Sequence, residues 1–268
     1  MGDYILIETT KVKPIAPYLG GKSKLAKTIC SIIDSTPHKT YAEPFVGMGG
    51  ILFRKEKPAK AEIVNDYNYE VFTLYRVLQR HYGEFLKQLE YINHSRNHFA
   101  HIKNLDPSHL TDIERAARFY FLLRASFGAM ANTYGVDKTN PDRFNMDKYK
   151  KDLALTVNRL RRVAMENLDF EKFIKKYDSP ETLFYLDPPY YGCENDYGKN
   201  LFSRDDFIRI RETLNNIQGK FILSLNDVPP VREIFKGYNF KEVELLYSVS
   251  RGKPSKAKEV IISNFNIQ

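Results

Sequence analysis

The chain has 268 residues, enough for one large domain or for one domain carrying an insertion, and its 43% apolar share allows a sizeable core. No apolar run is long enough to span a bilayer, and Met1 to Thr10 carries Asp3 and Glu8 and lacks the basic start and apolar core of a signal peptide, so a cytoplasmic protein is expected. Two cysteines, Cys30 and Cys193, exclude a disulfide framework and have no metal-ligand spacing, and the net charge of +8 favours polyanionic partners.

Along the chain, Pro17-Tyr18-Leu19-Gly20-Gly21-Lys22-Ser23-Lys24-Leu25 leads into a predicted helix over Lys24 to Ile33. Tyr41 to Phe45 reads as a short strand, Gly47-Met48-Gly49-Gly50 as a tight turn, and Ile51 to Lys55 as the start of a helix. Ala61 to Val64 is a second strand that ends at Asn65-Asp66-Tyr67-Asn68. Strand, glycine turn, helix, strand, acid is the order of a nucleotide-binding βαβ unit. From Tyr69 to about Val163 the apolar spacing is helical, with Gly128 to Lys148 read as a loop or small hairpin. This middle part holds most of the charge: Arg76 to Ala164 has 16 basic residues against 9 acidic ones. Strands return at Leu183 to Leu186, Lys220 to Leu225 and Glu259 to Phe265, and Ser203 with Asp206 forms a capping-box start for a further helix. The expected domains are a sheet domain, 1–75 and 165–268, and a basic helical insertion, 76–164.

The strongest chemical signal is Asp187-Pro188-Pro189-Tyr190, which follows an apolar strand. Ligands in open α/β sheets bind beyond the carboxyl ends of strands. Two prolines stiffen the backbone and cannot donate, which leaves the Asp187 carboxylate and the Pro188 carbonyl as aimed acceptors. An aromatic amine has its lone pair drawn into the ring. Two acceptors on its N–H groups push the nitrogen towards tetrahedral geometry and free that pair. Tyr190 offers a flat face for a flipped-out base. The competing reading is a plain strand exit with a proline stop. Glu43-Pro44-Phe45-Val46-Gly47-Met48-Gly49-Gly50 is weaker, because such a turn by itself is as readily a plain tight turn. It gains weight from the strand ending in Asn65-Asp66, where an acid would grip ribose hydroxyls. The glycine spacing departs from the phosphate-gripping pattern, and a cofactor without phosphate, such as S-adenosylmethionine, suits it better than NAD.

The order Tyr-Leu-Gly-Gly-Lys, Glu-Pro-Phe-Val-Gly-Met-Gly, Asn-Asp-Tyr-Asn, helical insertion, Asp-Pro-Pro-Tyr resembles the Dam-type, α-group adenine-N6 DNA methyltransferases. Asn167-Leu168-Asp169-Phe170, Leu223-Ser224-Leu225-Asn226, and Ser250-Arg251-Gly252-Lys253 before Glu259 to Phe265 extend the resemblance over nearly the whole chain. It implies a class I S-adenosylmethionine-dependent methyltransferase sheet, mostly parallel with one antiparallel strand, and a helical target-recognition insertion. It also implies S-adenosyl-L-methionine contacts from Tyr18, Lys22, Phe45, Gly47, Asp66, Asp169, Phe170 and Asp187, and catalysis by Asp187, Pro188 and Tyr190. The implied partner is double-stranded DNA, with a cognate restriction endonuclease compatible and the working state a monomer or weak dimer in the nucleoid; no metal or membrane is implied. The insertion departs from the family pattern, with Phe127-Gly128-Ala129-Met130-Ala131-Asn132 and Arg143-Phe144-Asn145-Met146-Asp147 where relatives share other residues. Arg124, Asn132, Lys138, Arg143 and Asn145 are its candidate DNA-contacting residues.

Other features are weighed lower. His94, His98 and His101 fall at a helical spacing that could hold a metal, but a solvated or DNA-facing surface is the better reading. Arg159, Arg161 and Arg162 suit phosphates or a solvated helix end equally. Cys193 reads as a passive small residue. The rival enzyme is a cytosine-N4 or RNA methyltransferase, against which Asp187 and the insertion argue. The rival from another class is a non-catalytic DNA-binding protein, which would need a damaged cofactor site.

Overall fold

A computed structural model describes residues 12–18, 22, 25–129, 131–136, 144–195, 198, 201–247 and 255–267. The first elements are α1 (Ala26–Ser35), β1 (Thr40–Glu43), β2 (Ala61–Asn65) and α2 (Tyr69–Arg80). The helices α3 (Tyr82–Glu90), α4 (Arg96–Asn104), α5 (Asp112–Ala125) and α6 (Met146–Leu160) follow. The chain continues with β3 (Val163–Glu166), α7 (Phe170–Tyr177), β4 (Thr182–Leu186), α8 (Asp206–Asn215) and β5 (Lys220–Asn226). It ends with α9 (Pro229–Ile234), β6 (Asn239–Tyr247) and β7 (Ser255–Ser263).

The seven strands lie in the order β3-β2-β1-β4-β5-β7-β6. β1 pairs in parallel with β2 and with β4, and β4 in parallel with β5. β7 is antiparallel to both of its neighbours, β5 and β6. This is the mostly parallel sheet with one reversed strand that the resemblance implies. All five residues of β4 are buried, which explains its unbroken apolar run: a central parallel strand is covered on both faces. The chain leaves β1 towards β2 on one side and meets β4 on the other. The carboxyl ends of β1 and β4 therefore flank the point where strand order reverses, the place where such sheets bind ligands.

The residues form two compact units: Met1–Cys30, Gly47–Pro58 and Asn68–Met165 in one, and Ser31–Val46, Ala59–Tyr67 and Glu166–Gln268 in the other. In the second, the core includes Ala42, Phe173, Phe184, Leu223 and Ile262. Its strand ends are tied by Asn65, which is fully buried. The Asn65 amide donates to the Pro44 carbonyl (2.9 Å) and the Leu168 carbonyl (3.0 Å), and its oxygen accepts from the Leu168 N–H (2.8 Å). The Asn65 carbonyl accepts from the Val46 N–H (3.0 Å). One side chain thus satisfies three backbone groups at the ends of two strands and a loop.

In the first unit, α5 carries the largest share of the core, with Ala116, Tyr120, Phe121 and Leu123 buried. It begins with a reciprocal capping box between Thr111 and Glu114. Around its end, Phe121 meets Phe144 and Tyr120 meets Tyr149, both edge-on.

Four expectations need correction. Ile51 to Lys55 forms successive turns and no helix. Gly49 sits at φ +75° just before it and Pro58 just after, leaving too few residues to repay helix nucleation. Lys148 is helical: α6 starts at Met146, with the Asn145 side chain accepting from the Lys148 N–H (3.0 Å). The segment before the undescribed residues is a small hairpin, with Ser126 bridged antiparallel to Tyr134 and Gly128 at φ +71°. His94 lies ahead of α4, so the three histidines do not share one helix face. His98 packs edge-on against Phe121 (5.8 Å), so it is no solvated surface residue, and burial, then His101, lowers its pKa. Gly20, Gly21 and Ser250 to Lys253 lie outside the described residues.

Replacing Asn65 with Ala leaves three backbone groups, one buried and two partly buried, without their partner. Stability should fall by about 3 kcal/mol or more, at roughly 1 to 3 kcal/mol for each orphaned group. Urea unfolding monitored by circular dichroism measures it, and a loss under about 1 kcal/mol would refute the tie.

Candidate functional site

The second unit gathers its polar and aromatic groups where the parallel strands end. At the end of β2, Asp66 is half-buried and its backbone is held from both sides. Its N–H donates to the Glu166 carbonyl, and its carbonyl accepts from the Asn167 amide (2.7 Å), which also reaches the Tyr67 carbonyl (3.1 Å). Asn65 and Asn167 together set the direction in which the Asp66 side chain leaves the strand.

Asp169 caps α7, accepting from the Glu171 N–H (3.0 Å), and its carboxylate also takes the Arg209 guanidinium (3.0 and 3.2 Å). Arg209 further bonds Asp206 (2.5 Å) and Glu171 (3.1 Å) and lies over the Phe170 ring, 4.6 Å from its centre. Burial opposes its charge, but the bonds to Asp206, Glu171 and Asp169 outweigh that and raise its pKa. The Phe170 ring meets Phe45 (5.6 Å) and Phe202 (6.3 Å), and those two meet each other at 6.1 Å. Phe45 follows β1, Phe170 opens α7 and Phe202 precedes α8. Three rings from three separate segments form an apolar triangle edged by Asp169. Beside it, Glu194, Asn195, Phe202, Ser203, Arg204 and Asp206 line a cavity of about 650 Å³. Ser203 donates through both its N–H (2.7 Å) and its hydroxyl (2.9 Å) to Asp206, but the residue at the N-cap of α8 is Asp205, so Ser203 does not cap this helix as expected.

At the end of β4, Asp187 is half-buried and Pro188 and Pro189 are buried. The Ser224 hydroxyl, on neighbouring β5, donates to Asp187 Oδ1 (3.1 Å) and is hydrogen-bonded to the Tyr185 hydroxyl (2.9 Å). The Tyr190 hydroxyl donates to Glu259 of β7 (2.5 Å), a carboxylate only 2% exposed. The Asn226 side chain clamps the next residue, accepting from the Tyr191 N–H (2.9 Å) and donating to its carbonyl (3.0 Å). The Asp-Pro-Pro-Tyr segment is therefore pinned at three points by β5 and β7. Burial raises the pKa of Tyr185 and of Tyr190, and the Asp187 charge adds to it in both, so these phenols stay protonated. Glu43, also buried, accepts from the Tyr41 hydroxyl (2.8 Å). Carboxylates at Asp187, Glu259 and Glu43 give these strand ends a negative character. That suits a cation and the N–H groups of an amine.

Among the other predicted residues, those of the first unit stand as follows. Gly47 has φ +49°, and a Cβ there would lie 3.1 Å from the Tyr18 ring, so only glycine fits. Lys22 is buried, and its carbonyl accepts the Ala26 N–H (2.7 Å) at the start of α1. Arg124 donates to the Ile15 carbonyl (2.5 Å) and stacks over Tyr149 (4.4 Å) and Tyr120 (5.3 Å), which is internal packing. Asn132 is exposed and its carbonyl accepts from Lys103 (2.9 Å), while Asn145 caps α6. Lys138 and Arg143 lie outside the described residues. Cys193 is exposed, and its N–H donates to the Tyr190 carbonyl (2.8 Å). The sequence reading placed Asn65, Asn167 and Glu259 within its motif and strand segments without giving them a role, and did not single out Phe202 or Arg209.

A family model described as D12 class N6 adenine-specific DNA methyltransferase matches residues 18–249. The chain is 26% identical to Type II methyltransferase M1.LlaDCHI of Lactococcus lactis subsp. cremoris, covering 97% of this chain and 99% of that one. It is 24% identical to Type II methyltransferase M.CviBI of Paramecium bursaria Chlorella virus NC1A, covering 88% and 91%. It is 22% identical to a DNA adenine methylase of Haemophilus influenzae, covering 94% and 93%.

Unfolded tyrosines ionise near their ordinary value of 10.0, whereas Tyr185 and Tyr190 resist ionisation in the folded chain. Their contribution is full below pH of about 10 and is lost as pH rises past it, because only the unfolded chain gains by ionising. The urea midpoint should fall between pH 8 and pH 10.5, and fall less in Tyr190→Phe. Equal falls in the two proteins would contradict the buried, protonated Tyr190.

Proposed function

Because the chain belongs to the D12 class of N6 adenine-specific DNA methyltransferases, we propose that it methylates adenine N6 at a specific site in double-stranded DNA, with S-adenosyl-L-methionine as methyl donor. The observation that carries this reading is the pinned Asp187-Pro188-Pro189-Tyr190 segment at the end of β4, in the same unit as the aromatic triangle.

The residues present fit that donor. An adenine ring suits the Phe45, Phe170 and Phe202 surface, ribose hydroxyls suit Asp66, and a sulfonium suits strand ends rich in carboxylate. Asp169 would flank the adenine, with Arg209 fixing its carboxylate. The assignment of Tyr18, Lys22 and Gly47 to the same donor rests on the order of motifs alone. When bound, S-adenosylmethionine supplies a methyl group already activated on a sulfonium.

Basic residues of the helical insertion hold the duplex by its phosphates, so affinity falls steeply with salt. The target adenine leaves the stack and enters the site. Asp187 and the Pro188 carbonyl accept its two N6 protons in hydrogen bonds, and Ser224 keeps the carboxylate turned for that contact. Tyr190 presents its ring, with its hydroxyl anchored on Glu259. Bound beside that amine, S-adenosylmethionine would supply the methyl group in exchange for one N6 proton, its thioether leaving, while Asp187 and the Pro188 carbonyl hold the amine in place and Asp187 would take up the proton; that positioning would supply much of the rate. Three relatives are named as Type II methyltransferases, which favours a place in restriction-modification beside a cognate endonuclease, as a monomer or weak dimer in the nucleoid. No helix among the described residues is long and apolar enough to cross a membrane.

Incubation with labelled S-adenosylmethionine and unmethylated genomic DNA should yield N6-methyladenine within one short motif, read by mass spectrometry and mapping. Asp187→Ala should reduce transfer by at least about a thousandfold, as loss of a group acting in the transition state does, while duplex binding stays nearly unchanged. Near-normal turnover in that variant would refute the assignment.

A further inference from the structure

The second half of α2 and the end of α6 leave a cavity of about 830 Å³, in the size range of small-molecule sites. Phe72, Val163 and Met165 give it an apolar floor, and Arg76, Arg80 and Arg161 line its walls. No acidic residue among the described ones lines it.

Arginines at helix ends ordinarily neutralise the last carbonyls. Here that work is done by others. The Gln79 amide donates to the Leu160 carbonyl (3.0 Å) and the Val163 carbonyl (2.8 Å), and the His81 N–H bonds the Val77 carbonyl (2.7 Å). Arg76 reaches Asp112 at 3.2 Å, an exposed pair of little strength. The Arg80 and Arg161 side chains have no hydrogen-bond or carboxylate partner among the described residues. Elsewhere Arg115 is tied to Glu70, Arg209 to three carboxylates and Arg232 to Asp227 and Glu242. Guanidiniums that line one cavity, two of them without a carboxylate partner, repel one another unless an anion joins them. A phosphate takes two planar guanidinium forks at once, and carboxylates of the protein do not supply it here.

We propose that this cavity binds a phosphate-bearing ligand, held by Arg80 and Arg161 with Arg76 beside them, and with Phe72 and Met165 against the ligand's apolar part. Two sources carry that chemistry: a free nucleotide or polyphosphate, and the backbone of DNA. The inference does not depend on methyl transfer.

Calorimetric titration of the full chain with inorganic tripolyphosphate and with ATP tests it. Saturable one-site binding is expected, weakened about tenfold or more in Arg80→Glu/Arg161→Glu and also in Arg80→Gln/Arg161→Gln, which changes shape less. Thermal melts of both variants confirm folding. Duplex binding across a salt series then separates the sources. If the log–log salt slope drops by about two in the variants, the ligand is the DNA backbone; an unchanged slope with lost tripolyphosphate binding identifies a free phosphorylated ligand. Absence of tripolyphosphate binding, or equal binding by folded variants and the unaltered chain, would overturn the proposal.

Discussion

The amide of one buried asparagine holds the strand ends together. Asn65 sits where β2 ends and closes hydrogen bonds to Pro44, after β1, and to Leu168, before α7. An asparagine offers both a donor pair and an acceptor, so it can satisfy carbonyls and an N–H in the same buried spot. Asp66 follows it directly, Phe45 follows Pro44, and Asp169 follows Leu168. Phe45, Asp66 and Asp169, three of the residues assigned to the cofactor in this unit, are thus next to Asn65 or to a residue that it holds. An aspartate there would lack the donors, and an apolar residue would leave three backbone groups unmatched.

A second constraint acts around β4. The Asp-Pro-Pro-Tyr segment has few backbone donors of its own, since two of its four residues are prolines. Its position must come from outside, and it does: Ser224 and Asn226 from β5, and Glu259 from β7. Reversed β7 matters here, because inserting it beside β5 carries Glu259 opposite Asn226. Buried carboxylates are costly unless bonded, and phenol hydroxyls bond both Glu43 and Glu259. The bond that makes Glu259 tolerable also fixes Tyr190 of the Asp-Pro-Pro-Tyr segment.

The helical unit divides its basic residues between two tasks. Arg124 and Arg115 are spent on packing, over tyrosine rings and on Glu70 or a backbone carbonyl. Arg80 and Arg161 are not. Net charge along the chain locates the basic segment but does not distinguish these uses, because a guanidinium stacked on Tyr149 and one facing a cavity count alike.

Sequence by itself named neither β3 nor β6, but it determined five strands, the helical middle and the motif segments. Those rest on local pattern: the unbroken apolar run of β4, the glycines that alone tolerate φ near +49° beside Tyr18, and the prolines after Asp187. It misread Ile51 to Lys55, where a few apolar residues imitate a helix start, and the face of His98, because packing against Phe121 comes from another helix. Only the tertiary structure decided that Asn65, Ser224 and Asn226 brace the strand ends, that Glu259 anchors Tyr190, and that Phe202 and Arg209 join Phe170. These partners lie from 21 to 103 positions away in the chain. Nothing in a local pattern encodes such meetings. They follow from which strands become neighbours, and that is settled when the sheet buries its apolar faces.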